Sequence, residues 1–164
     1  MRVIQINTKE SIMNMLSVIK DPEIPVVSIQ EIGMLRDVII SEAGYEVILT
    51  PTYTGCPAMG IITHDIKAEL EKQGIAPVTV KLVYSPAWTT DWMSDTAKEK
   101  MRKYGIAAPV HSSCNTKFTE FNTIPCPNCN STDTIMISKF GATACKSLFK
   151  CNSCKEPFEY FKCH

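Results

Sequence analysis

Apolar residues at Ile12, Met15, Leu16 and Ile19 fall on one helical face of NTKESIMNMLSVIKDP, with Asn7 and Glu10 at capping-box spacing and Pro22 past the end. That pattern predicts a first amphipathic helix. MLRDVIIS and YEVILTP are β-rich runs separated by EAG, which predicts a hairpin turning at Gly44. A second helix follows, with Pro57 at its first position, Met59, Ile62, Ile66 and Leu70 on its apolar face and Gly74 as terminator. VTVKLVYS reads as a third strand, and a last helix is expected from about Asp91 to Tyr104, stopped by Gly105. The order α-β-β-α-β-α predicts a compact α+β domain over residues 1–105. From 106 to 124 the chain turns polar and loses periodicity, so a linker or ordered crossover is expected there. TIMISKF, ACKSLFK and PFEYF then supply three short strands within a second unit, residues 125–164.

The chemistry of that second unit lies in CPNC and CNSC, which place Cys126 and Cys129, then twenty-one residues, then Cys151 and Cys154. Two residues between cysteines let both thiolates of a tight knuckle reach one ion, and two knuckles complete a tetrahedron. A segment this short buries little apolar surface, so metal binding has to supply part of its folding free energy. A three-stranded zinc ribbon is the expected structure; mononuclear iron or an iron–sulfur cluster could use the same thiolates.

Composition and charge narrow the function classes. The 164 residues are 45% hydrophobic and 21% charged, enough for a real core, and no signal-like or membrane-spanning apolar run is apparent, so a cytoplasmic protein is expected. Seventeen Lys and Arg balance seventeen Asp and Glu. Residues 125–164 carry five basic and three acidic side chains, and four thiolates around Zn²⁺ would cancel that excess. This is not the basic field of a nucleic-acid-binding ribbon.

Four further cysteines need an account. Cys56, in TYTGCPAMG, stands where a strand hands over to a helix. There the unpaired amides of the helix N-terminus are expected to lower its pKa, making an accessible thiolate for metal or cluster handling. A corner-filling role and a nucleophilic role stay open beside it, though no Cys/His signature accompanies it. Cys145 would share a strand face with Ser147, Phe149 and Cys151, near the knuckle, as a buried apolar filler or as part of a second, labile metal centre together with Cys163 or Cys114. Trp88 and Trp92, four apart, read either as an anchor for a partner or as core. His64 and His111 lack a glutamate three residues before them, so the carboxylate-bridged di-iron pattern is absent, as are GxGxxG and P-loop motifs.

DPEIPVVSIQEIGMLRDV at 21–38 and LTPTYTGCPA at 49–58 resemble the iron–sulfur-cluster-assembly domain of SufT-like maturation factors, over roughly residues 8–105. SPAWTTDWMSDTAKEKMRKYGIAAP at 85–109 and FGATACKSLFKCNSCKEPFEYFKCH at 140–164 resemble the PaaD family, whose members are encoded with the bacterial phenylacetyl-CoA epoxidase. The resemblance implies an accessory protein that matures or supports metal centres of that oxygenase in aerobic phenylacetate catabolism, without oxidising substrate itself. It maps the family's loop cysteine onto Cys56 and its acidic opening onto Asp21 and Glu23, and implies a transient iron–sulfur cluster beside the ribbon zinc. The implied partners are components of the epoxidase system, especially an iron–sulfur one, with a homodimer as one way to double Cys56. An electron-transfer or structural component of the same complex is the alternative reading.

Overall fold

The computed structural model describes residues 8–109 and 124–162. Helix α1 spans Lys9–Leu16 and is capped by Thr8, whose hydroxyl accepts from Ser11 N at 3.2 Å. Of the capping box expected from Asn7 and Glu10, Asn7 lies outside the described residues; the cap observed is Thr8. Strands β1 (Leu35–Ser41) and β2 (Gly44–Leu49) form the expected antiparallel hairpin, with Val38 opposite Val47. Gly44 sits at φ +123, and a Cβ there would lie 2.5 Å from Pro77 O, so the turn needs glycine sterically and conformationally.

Helix α2 (Ala58–Lys72) carries the chain to β3 (Val78–Leu82), which lies parallel to β2. The sheet order is β1-β2-β3. Ile12, Leu16, Ile62, Ile66 and Leu70 of the two helices join Val38, Val47 and Leu49 in one buried cluster. The apolar stripes read from the sequence are therefore the faces that close this core.

The last helix is shorter than expected. Thr90–Trp92 form a single 3₁₀ turn, Met93 is extended, and α3 runs only from Asp95 to Lys103. Ser94 restarts the helix by accepting from Ala97 N at 3.0 Å, a local cap that helical periodicity alone does not reveal.

Strand β4 (Ile106–Ala107) follows at once and pairs in parallel with β7 (Pro157–Phe161). With β5 (Thr134–Ser138) and β6 (Lys146–Cys151) it makes a second sheet, ordered β4-β7-β6-β5. The three expected ribbon strands thus gain a fourth from the segment preceding the ribbon. Ala107, Ile124, Phe149, Phe158 and Tyr160 pack around Cys126 and Cys151, whereas Cys145 and Phe161 belong to the core of the first sheet. The ribbon is consequently packed against the N-terminal body along the start of β6 and the end of β7.

Candidate metal centres

The four ribbon cysteines converge. The sulfurs of Cys126, Cys129, Cys151 and Cys154 all lie within 4.8 Å of one another, with Cys126 to Cys154 at 3.7 Å and Cys129 to Cys151 at 3.5 Å. A tetrahedral ion with Zn–S bonds of about 2.3 Å would set its sulfurs about 3.8 Å apart, so this donor set fits zinc with little adjustment. Its two halves are built alike. Cys126 N donates to Ser131 O at 2.9 Å, and Cys151 N donates to Glu156 O at 3.0 Å. The residue after each second cysteine, Asn130 or Lys155, has positive φ, which turns each knuckle back on itself. Ser131 Oγ to Ser153 Oγ at 2.7 Å, and Asn152 Nδ2 donating to Asp133 Oδ1 at 2.8 Å, tie the two knuckles together. Cys154 N donates to Cys151 Sγ at 3.4 Å, which draws that thiol below its ordinary pKa, toward the thiolate a metal needs. A bound ion would act here as a staple, and this closed all-sulfur set leaves no position for a reacting molecule.

Cys56 stands at the mouth of α2, as expected, but not as an accessible thiolate. It is only 7% exposed, and burial pushes its pKa up. The Ala58 N–H of the helix entrance and the Tyr53 hydroxyl both favour the thiolate, while the nearby Glu23 and Asp21 carboxylates work against it. The predicted helix effect is therefore present and outweighed, because desolvation penalises the charged form more than one amide rewards it.

The two carboxylates come from the opening loop. Asp21 Oδ1 accepts from Glu23 N at 2.8 Å and Ile24 N at 2.9 Å, closing the DPEIP turn on itself. Burial raises the Asp21 pKa despite those two donors.

Cys145 corrects a second expectation. Strand β6 starts one residue after it, and six residues of strand, about 20 Å, separate it from the knuckle at Cys151. Its sulfur instead faces the N-terminal body, donating to Glu23 Oε2 at 3.0 Å and lying 3.0 Å from Thr143 Oγ1. Burial first, and Glu23 after it, push this thiol up to about 12. Lys146, also buried, bonds Glu159 Oε2 at 2.7 Å and Glu23 O at 3.3 Å.

Periodicity could not have found Tyr53, which is hydrogen-bonded with Cys56 and within electrostatic reach of Cys145. It lines a cleft of about 210 Å³ together with Thr50, Thr52, Thr54, Tyr84 and Trp88. Its phenol is pushed up to about 12 by burial and by the proximity of Cys56, Glu23 and Cys145.

Trp88 is not a surface anchor. It is 3% exposed, donates from Nε1 to Ile32 O at 3.0 Å and meets Phe161 of β7 edge to face at 5.9 Å. Trp92 is half-buried beneath Arg36, whose guanidinium carbon lies 3.6 Å from the ring centroid. Cys114, Cys163 and His111 lie outside the described residues, and His64 lies on α2. No helix among the described residues is long and apolar enough to cross a membrane.

Two family models match the chain in succession. Residues 9–82 match the model of an iron–sulfur cluster assembly protein, and residues 111–162 match the PaaD zinc β-ribbon domain. A crystal structure of a domain of unknown function, DUF59, from Bacillus anthracis superposes with a TM-score of 0.51 at 30% identity, covering 55% of this chain and 87% of that one. An Fe–S protein maturation auxiliary factor of Porphyromonas gingivalis (strain ATCC BAA-308 / W83) is 34% identical over 56% of this chain and 89% of its own length. A protein of Escherichia coli (strain K12) named as the D subunit of 1,2-phenylacetyl-CoA epoxidase is 47% identical over 91% of this chain and 89% of its own. With an assembly-type domain, a four-cysteine ribbon and that identity across nearly the whole length, this chain belongs to the PaaD family.

Proposed function

We propose that this protein is a non-catalytic accessory factor, cytoplasmic, that holds iron or a nascent iron–sulfur cluster at the Cys56 loop and passes it to an iron–sulfur component of a phenylacetyl-CoA epoxidase system. The observation that carries this reading is the setting of Cys56: a soft ligand beside the Glu23 and Asp21 carboxylates, inside the segment that matches the assembly-protein model. The names of two relatives, an epoxidase component and a maturation factor, point the same way. A carrier has to release what it holds. Few thiolates mixed with oxygen donors bind ferrous iron less tightly than a closed sulfur tetrad, which suits a transient site. On this reading residues 1–105 handle the cargo, and residues 125–164, stapled by zinc, hold the shape. Burial of Cys56 then protects a thiol that would otherwise oxidise, and the cargo displaces its proton on arrival.

Anaerobic purification with metal and acid-labile sulfide analysis tests the proposal. Cys56→Ala is expected to lose iron and sulfide while keeping one zinc per chain. Iron retained at the wild-type level in the variant, or no iron taken up by the wild type, would overturn it.

A further inference from the structure

We infer that Cys145, carried by the ribbon, is the second thiol ligand of the cargo site, which therefore consists of Cys56, Glu23 and Cys145 and is completed within one chain. The inference rests on the proposed function and adds to it a ligand from the other sheet. Three observations support it.

A buried cysteine that merely fills space has no reason to aim its sulfur at a carboxylate, yet Cys145 is 2% exposed with Sγ 3.0 Å from Glu23 Oε2. Glu23 belongs to the same acidic opening that faces Cys56. Tyr53 is a common neighbour, hydrogen-bonded with Cys56 and within electrostatic reach of Glu23 and Cys145.

The donor chemistry of the cluster also suits a cation. Lys146, the buried ammonium beside it, is directed at Glu159 Oε2 and the Glu23 main-chain carbonyl. The groups that act on one another here are two thiols, the Glu23 and Asp21 carboxylates and a phenol, with the Lys146 charge reaching Asp21 and Cys145 as well. A divalent ion that takes both sulfurs as thiolates, releasing their two protons, and one Glu23 oxygen would satisfy all three at once. That donor set, two sulfurs and a carboxylate, suits ferrous iron and other borderline ions.

Among the described residues, the ribbon cysteines are the group whose ligand atoms already lie within 4.8 Å of one another. The Cys56–Glu23–Cys145 set is more open than that: Cys145 already meets Glu23 at 3.0 Å, and one ion held by all three would have to draw Cys56 in toward that pair. Tyr53, the neighbour of the set, also lines the cleft formed with Thr50 and Trp88. A second soft ligand supplied in cis also removes the need for a second copy of the chain to provide one.

The test uses the full chain with its ribbon loaded with one zinc, titrated anaerobically with ferrous iron, which does not displace zinc from a thiolate tetrad. Absorption at the iron edge reads the iron environment apart from zinc. The expected result is two sulfurs and lighter donors per iron in the wild type, one sulfur in Cys145→Ser or in Cys56→Ser, and affinity weakened at least about tenfold in each. Zinc content reports whether each variant is folded, and should Cys145→Ser not fold, the sulfur count in the wild type decides. A wild-type count of one, or Cys145→Ser binding as the wild type while Cys56→Ser does not bind, overturns the inference and leaves the proposed function standing. A wild type that takes up no iron overturns both.

Discussion

Replacing Trp88 by alanine probes the joint between the two halves of the molecule. Its indole is almost fully buried, its Nε1 donates to the main-chain oxygen of a wholly buried Ile32, and its ring meets Phe161 from the ribbon's β7. Removing a large aromatic from a core costs about 3–5 kcal/mol, a range that already includes much of the edge-to-face contact. Leaving the Ile32 carbonyl without its donor adds on the order of 1 kcal/mol. The expected loss for Trp88→Ala is therefore about 4–6 kcal/mol, a large share of the 5–15 kcal/mol that a domain typically has. Trp88→Phe keeps most of the packing and loses the hydrogen bond, so about 1–2 kcal/mol is expected. Urea unfolding followed by far-ultraviolet circular dichroism measures both, and zinc content should be unchanged because Trp88 lies outside the cluster around the knuckles. A loss below about 1 kcal/mol for Trp88→Ala, with binding to an epoxidase component abolished, would refute the reasoning and restore Trp88 as a partner anchor.

Stripping zinc with a chelator should remove amide-exchange protection from β5, β6 and the knuckles while α1, α2 and β1–β3 keep theirs, since the ribbon's own cluster is small. Lys146→Met should cost about 2–3 kcal/mol by leaving Glu159 without its buried cation, and adding Glu159→Gln should recover more than half, read by a double-mutant cycle in urea. At Glu31, burial is outweighed by hydrogen bonds from Lys100 and from Ser28 N, which hold its carboxyl below the ordinary range. Its folded pKa lies below its unfolded one, so the stability it contributes is present above the unfolded value and lost as pH falls through the folded one. Glu31→Gln should thus cost about 1 kcal/mol at neutral pH and nothing in acid, by thermal unfolding at several pH values. Gly33→Ala should cost about 2 kcal/mol or more, because φ is +83 and the new Cβ would lie 2.6 Å from Trp92 Cβ and O.

The ribbon site is readable because its information is local. Two knuckles of fixed spacing can bring four sulfurs to one ion almost regardless of the rest of the chain, and their sulfurs do converge. Helices α1 and α2 and the β1–β2 hairpin are readable for a similar reason, since each carries its own apolar period and its own stop signal. The last helix starts later than its pattern predicts because a single serine cap, Ser94, overrides a stretch whose periodicity runs on unbroken. Cys56 is placed correctly in the chain and wrongly in its environment, since helix polarity is a local property and burial is not.

By itself, then, the sequence determined the α+β class, the four zinc-type ligands and the loop that carries Cys56, because each depends on residues within a few turns of one another. Only the tertiary structure decided that Trp88 is core, that Cys56 is shielded and that Cys145 faces Glu23 across 122 positions of chain. These follow from how one sheet docks on another, and desolvation and long-range contact are set by that docking, which no short-range pattern records.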